Sequence, residues 1–176
     1  MSGKKIAITL FKYFPYGGLQ KDFLGIAEEL YKRNYILKVF TRSWSGEIPA
    51  WLDVMEIGEN GFTNASKDRK FVDEVFEGIN KFNPEIVFGF NKMPGLDLYF
   101  AADTCFAKHS LNKHYLQRFT KRFKQSLEFE TEVFSHKSST KILLLNNRQK
   151  NEFKDIDRKS TRLNSSHRCI SYAVFC

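Results

Sequence analysis

Short runs of β-branched and apolar residues recur along this chain, separated by segments of helical period, and that alternation constrains its fold most strongly. Ile6-Ala7-Ile8-Thr9-Leu10 is the first run, and it stops at Lys12 before Pro15, Gly17 and Gly18. Leu19–Arg33 follows with Leu19, Phe23, Ile26, Ala27 and Leu30 on one helical face and Lys21, Glu28, Glu29 and Lys32 on the other. Leu37–Thr41 reads as a second strand and Trp51–Ile57 as a third, with Asn60-Gly61 as a turn. Asp68–Phe82 repeats the helical spacing through Phe71, Val72, Val75, Phe76 and Ile79, and Pro84 closes it. Ile86–Phe90 is a strand of the fully buried type. A long helical stretch covers Ser110–Phe134, Ile142–Leu145 is the next strand, and Asn147–Lys154 begins another helix. Strands of this length alternating with helices predict βαβ units and an α/β fold, a Rossmann-like, doubly wound, mostly parallel sheet.

The length of 176 residues suits one well-cored domain, and 42% hydrophobic residues with 18 Phe exclude a disordered chain. No apolar run approaches the roughly 18 residues that a membrane-spanning helix needs. The basic start, Met1 to Lys5, leads into a run that Lys12 breaks, with no small-residue cleavage site. It therefore reads as a first strand and not as a signal peptide, and a cytoplasmic protein is expected.

The character of the sequence changes at Asp157. Asp157–His167 and Ile170–Cys176 resemble, codon by codon, the translation of a common short-read sequencing adapter, with Arg168 and Cys169 in the place of its variable index. The plain alternative is a genuine polar extension that ends in a strand. The expected organisation is a domain over residues 1–156 followed by an adapter-derived tail over residues 157–176. Arg158, Lys159, Arg162 and Arg168 against Asp157 supply three of the eight formal positive charges. The tail also holds Cys169 and Cys176, which leaves Cys105 alone in the body and removes a disulfide or zinc reading, so no metal site is expected.

A sheet of this class binds ligands at the carboxyl ends of its strands, which directs attention to the residues after Leu10, Thr41 and Phe90. Gly17-Gly18 before a helix allows close backbone approach, and the helix start offers N–H groups to an anion. The pattern lacks the third glycine of the dinucleotide fingerprint, and such a pair is also a common turn. Asp22, in the first turn of the helix, either favours the macrodipole or aims a carboxylate at sugar hydroxyls. Asn91 and Lys92 present an amide and a cation after the Ile86–Phe90 strand. Asp103 ends the apolar stretch Leu98–Ala102, where a carboxylate is either a cap or a catalytic group.

Four segments, KYFPYGGLQKDF (Lys12–Phe23), TRSWSGEIP (Thr41–Pro49), GFNKMPGLDLYFAAD (Gly89–Asp103) and STKILLL (Ser139–Leu145), resemble the lipopolysaccharide core glucosyltransferase I family. That family belongs to glycosyltransferase family 4, of GT-B architecture, and the resemblance covers nearly all of Lys5–Lys154. It implies that the chain is the N-terminal, acceptor-side half of an enzyme moving glucose from UDP-glucose to an inner-core heptose of lipopolysaccharide, with retention. The nucleotide would sit on a second domain, and this chain alone is then expected to be inactive. By the match, Gly17 and Gly18 approach the donor diphosphate, while Asp22 and Asp103 lie near the acceptor and the transferring sugar. UDP-glucose enters as donor substrate, with no further cofactor. Another family 4 enzyme with a different donor or acceptor, or a non-catalytic anion- or nucleic-acid-binding domain, is the alternative.

Lys108, Lys113, Arg118, Lys121, Arg122 and Lys124 lie between Ala107 and Gln125 with no acid among them, and Leu111, Tyr115, Phe119, Phe123 and Leu127 form an apolar stripe. Such a helix reads as a binder of an anionic membrane surface, or as a core helix with solvated charges. With the acceptor in a membrane, the resemblance implies a peripheral protein on the cytoplasmic face of the inner membrane. Without the tail the charge balance is ordinary and no RRM, KH or helix-turn-helix signature is present, so nucleic acid is not an expected partner.

Overall fold

The computed structural model describes residues 3–58, 62–102, 120–135, 138–145 and 172–174. The chain divides into two compact units, Met1–Asn91 and Lys92–Cys176.

Unit 1 is built around β1 (Lys5–Tyr13), which pairs in parallel with β2 (Ile36–Trp44) on one edge and β4 (Ile86–Gly89) on the other. The edge strand β3 (Asp53–Glu56) pairs in parallel with β2, giving the order β3-β2-β1-β4. A strand bonded along both edges and flanked by helices has no solvent face, and Ile6 to Leu10 are accordingly all buried. Ile8 stands opposite Val39 on one side and Phe88 on the other, all three in the core. β1 and β2 both run about three residues past the ends of their apolar runs. Hydrogen-bond pairing, and not hydropathy, sets these ends: Lys12 pairs with Ser43 and Tyr13 with Trp44, whose rings stack at 3.8 Å.

Helix α1 (Gly18–Lys32) buries Gln20, Phe23 and Ala27. Helix α2 (Asn64–Phe82) starts four residues before the apolar period does, because Thr63 and Ser66 form a capping box. The Thr63 hydroxyl accepts from the Ser66 N–H at 3.1 Å, and the Ser66 hydroxyl accepts from the Thr63 N–H at 3.0 Å. It ends at Asn83, left-handed at φ 51°, with Pro84 next to bar continuation. The Asn60-Gly61 turn lies outside the described residues.

Unit 2 holds β5 (Leu98–Ala101), α3 (Lys121–Phe134), β6 (Lys141–Leu144) and β7 (Tyr172–Val174), its strands parallel in the order β5-β6-β7. β5 is a strand where the sequence shows only an apolar stretch. The Ser110–Phe134 helix is seen over Lys121–Phe134, and the Asn147–Lys154 helix lies outside the described residues. β7 comes from the segment after Asp157. The open edge of β6 offers unpaired backbone groups, and an extended apolar tripeptide pairs with such an edge whatever its origin. The α/β, Rossmann-like arrangement predicted from the sequence is thus observed, helices flanking parallel strands.

Two helical glycines separate propensity from packing. A Cβ on Gly78 in α2 would overlap the Phe40 ring of β2, whereas a Cβ on Gly25 in α1 meets nothing within 4 Å. Gly78→Ala should destabilise by about 1–3 kcal/mol through overpacking despite the better helix propensity of Ala. Gly25→Ala should stabilise by about 0.4–1 kcal/mol. Urea denaturation of the two variants checks the opposite signs.

Candidate functional site

In unit 1 β1 leads into the loop Phe14–Gly17, with the carboxyl ends of β2 and β4 paired on either side of β1. β1 ends in a set of bonds that fix its direction. The Phe11 N–H donates to the Asn91 side-chain oxygen at 2.7 Å, and the Phe90 N–H donates to the Thr9 carbonyl at 2.9 Å. The Thr41 hydroxyl sits 3.4 Å from the Phe11 carbonyl and 3.1 Å from that of Ser43. Arg42 lies over the Phe11 ring, 4.1 Å from its centre, and is held there by an ion pair with Asp68. Asn91 therefore completes the edge of β1 with its oxygen, which leaves its NH2 as the group able to address a ligand.

Gly17 is the N-cap of α1 in an extended conformation, and no side chain caps this helix. The Lys21 N–H donates to the Gly17 carbonyl at 3.1 Å, while among the described residues no side chain caps the amides of the first turn. Neither Gly17 nor Gly18 has a positive φ. Gly17 is required by crowding, since a Cβ there would run into the Gln20 side chain and the Phe14 ring. Gly18 is exposed, and a Cβ on it would meet none of the described residues within 4 Å. Gln20, to which the sequence alone assigns no role, is buried and donates to the Lys12 carbonyl at 3.0 Å, tying the helix start to the end of β1. A polar residue on the buried face three positions after Gly17 was the available signal.

Asp22 is exposed, and because α1 begins at Gly18 it lies in the second turn and not the first. Its expected role toward the macrodipole is therefore corrected, the effect being confined to the first turn. Gly18 and Asp22, four apart, share one face, and a helical side chain leans toward the N-terminus, so the carboxylate sits below the open helix start. This edge offers unshared amides for an anion and a carboxylate for hydroxyl groups.

In unit 2, Lys92 donates to Glu130 at 2.6 Å, with side-chain exposures of only 11% and 6%, and its ammonium lies 5.9 Å from the centre of the Phe134 ring. This cation is committed to α3 within its own unit. Asp103 falls two positions after β5 and lies outside the described residues, as do Lys113 and Arg118. Lys121, Arg122 and Lys124 are exposed on the first turn of α3. The apolar stripe predicted for this helix is corrected at its end: Leu127 is exposed, and the buried face is Gln125, Phe129, Glu130 and Val133. Glu130 on that buried face is the partner of Lys92. Among the described residues no three or more His, Cys, Asp or Glu gather as metal ligands, and no helix is long and apolar enough to cross a membrane.

No protein-family model matches the chain. The lipopolysaccharide glucosyltransferase WaaG of Escherichia coli (strain K12) is 38% identical to it over 149 residues, 84% of this chain and 40% of that protein. The chain therefore spans well under half the length of the curated relative it matches. A crystal structure of WaaG, a glycosyltransferase involved in lipopolysaccharide biosynthesis, superposes with a TM-score of 0.86 at 32% identity, covering 96% of this chain and 44% of the other. Sucrose-phosphate synthase of Thermosynechococcus elongatus superposes with a TM-score of 0.61 at 12% identity over 97% of this chain and 47% of the other, a likeness of fold alone. These findings bear out the resemblance read from the four sequence segments.

The buried Lys92–Glu130 pair makes a sharp energetic prediction. Removing one partner strands a buried charge, so Lys92→Met or Glu130→Leu alone should cost about 3–5 kcal/mol. The double variant should recover most of that loss, since an apolar pair of similar volume replaces two desolvated ions. A double-mutant cycle in urea measures it; additive losses would show that the two charges are not coupled.

Proposed function

We propose that this chain, a homologue of the lipopolysaccharide core glucosyltransferases, forms the acceptor-side part of an enzyme that transfers glucose from UDP-glucose to a heptose of the lipopolysaccharide inner core, with retention at the anomeric carbon. The observation that carries this reading is the 38% identity to WaaG over 149 residues. Gly17, Gly18 and Asp22 support it by standing together at the carboxyl edge of the unit 1 strands. A glycosyl transition state has oxocarbenium character, and the departing diphosphate gathers negative charge. The uncapped amides at the start of α1 suit the second need, and fixed carboxylates suit the first. Asp103, two positions past β5, is the proposed catalytic carboxylate, with Asp22 and the Asn91 NH2 binding acceptor hydroxyls. Lys92, paired with Glu130 within unit 2, is not assigned a contact with substrate. No metal ion takes part in this scheme.

The relative is longer than this chain, so the reaction is measured on a gene product that spans the relative's full length. Transfer of labelled glucose from UDP-glucose to inner-core lipopolysaccharide is expected. Asp103→Ala should lower kcat by on the order of 10²-fold, the size of effect seen when one preorganised transition-state group is removed. Near-normal turnover in that variant would reduce Asp103 to a structural role.

The same enzyme is proposed to sit on the cytoplasmic face of the inner membrane, held by Lys113, Arg118, Lys121, Arg122 and Lys124. Three of these cations crowd the first turn of α3, where the macrodipole disfavours positive charge. Their placement costs helix stability, and attraction to anionic headgroups, about 1 kcal/mol per cation near such a surface, offsets that cost. Sedimentation with anionic vesicles should fall when Arg118, Lys121, Arg122 and Lys124 become Gln, and wild-type binding should weaken at high salt. The comparison is made on the 176-residue chain, with Arg158, Lys159, Arg162 and Arg168 made neutral in both proteins so that they do not imitate the effect. Binding that ignores lipid charge would contradict the electrostatic account.

A further inference from the structure

Tyr16 is 89% exposed on the short loop between the end of β1 and the start of α1. The end of β1, from which that loop leaves the sheet, is fixed by several contacts, and Pro15 of the loop lies near Gly46. Gln20 donates to the Lys12 carbonyl, and the Ser45 N–H donates to the Tyr13 carbonyl at 2.9 Å. The Tyr13 ring stacks on Trp44, which itself donates to the Glu47 carbonyl at 3.4 Å. Gly46, at φ 100°, turns the β2–β3 connection so that its α-carbon faces the Pro15 ring, and an added Cβ would lie 3.9 Å from Pro15 Cγ and Cδ. Phe14, at the other end of the loop, is 43% exposed. An aromatic ring kept in water on a fixed backbone gains nothing for folding, and a rigid ring loses little entropy when a ligand covers it.

We infer that Tyr16 is a stacking platform for a sugar ring of the acceptor, beside the open start of α1. This inference rests on the glycosyltransferase reading and names a contact of that same site. A pyranose has an apolar C–H face and a rim of hydroxyl groups. The Tyr16 face meets the first, and the exposed Gly18 backbone and the Asp22 carboxylate, on the helix that starts two residues later, meet the second. A lipid surface would call for apolar residues flanked by cations; the exposed charge on this helix start is mixed, Lys21 beside Asp22. Phe62, fully exposed on a different loop after β3, serves as the internal control.

The probe is the deacylated heptose-containing inner-core oligosaccharide, titrated by calorimetry into the 176-residue chain. Tyr16→Ala should weaken binding roughly tenfold, the equivalent of about 1.4 kcal/mol. Tyr16→Phe and Phe62→Ala should change it less than about threefold. Saturation-transfer NMR should show the strongest contact at sugar C–H protons, and Tyr16→Ala should erase that pattern. Equal losses in Tyr16→Ala and Tyr16→Phe would point to a hydroxyl hydrogen bond and overturn the stacking. Unchanged binding in Tyr16→Ala, or no binding by the wild-type chain, would overturn it too. So would loss of anionic-vesicle binding in Tyr16→Ala with oligosaccharide binding intact, which assigns the ring to a membrane. Oligosaccharide binding through Tyr16 by a full-length enzyme that transfers no glucose would sink the proposed function and leave this contact standing.

Discussion

The hydrogen bonding of β1 along both edges is the constraint on which the rest of unit 1 depends. With β2 on one side and β4 on the other, β1 can be neither frayed nor shifted without breaking two ladders, and its buried residues would change face on any slip of register. The carboxyl end of the strand is where this order is handed on. Asn91 takes the Phe11 N–H that β4 no longer reaches, and Thr41 turns its hydroxyl to the Phe11 carbonyl. Arg42, paired with Asp68 of α2, covers the Phe11 ring from the side. Strand, flanking strand and helix thus agree on one direction for the chain as it leaves the sheet. The loop that follows inherits that direction.

Two local rules are broken near the candidate functional residues, and in both places stability is forgone. α1 begins at a glycine with no side-chain cap, where Ser, Thr or Asp would contribute only about a few tenths of a kcal/mol more. α3 begins with Lys121, Arg122 and Lys124 and ends among glutamates, the reverse of what the macrodipole favours. α2, away from these residues, obeys the rules with a complete capping box and a left-handed C-cap. Departures of this kind are expected where a sequence serves binding in place of folding. At α1 the missing cap leaves amides for an anion; at α3 the misplaced cations stay in solvent.

The architecture was legible in the sequence because parallel strands leave a strong mark. Ile6–Leu10 and Ile86–Phe90 are short apolar runs bounded by turn residues and read as strands, though Ile86 itself is exposed, and the periods of α1 and α2 follow from their buried faces. Strand ends were less legible, since the Tyr13–Trp44 pairing adds residues that hydropathy does not flag. β5 was passed over because Leu98–Ala101 has no polar alternation and no β-branched residue. Of the candidate site, Gly17 and Gly18 were found, but the reason for Gly17 is contact with Gln20 and Phe14, which no spacing shows. The commitment of Lys92 to Glu130 depends on residues 38 positions apart, and it puts a glutamate on the buried face of α3 while Leu127, which the apolar period assigns to the core, is exposed. Long-range pairing of that kind has no local signature.

The central claim is that the carboxyl edge of unit 1, around the Phe14–Gly18 loop, receives the acceptor saccharide. Amide hydrogen exchange of the chain, with and without the inner-core oligosaccharide, tests it most directly. The account predicts added protection at Tyr16, Gly17, Gly18 and Leu19, with little change at the opposite end of the strands near Tyr31–Ile36. Protection confined to Tyr31–Ile36, or none at the loop under saturating saccharide, would contradict it.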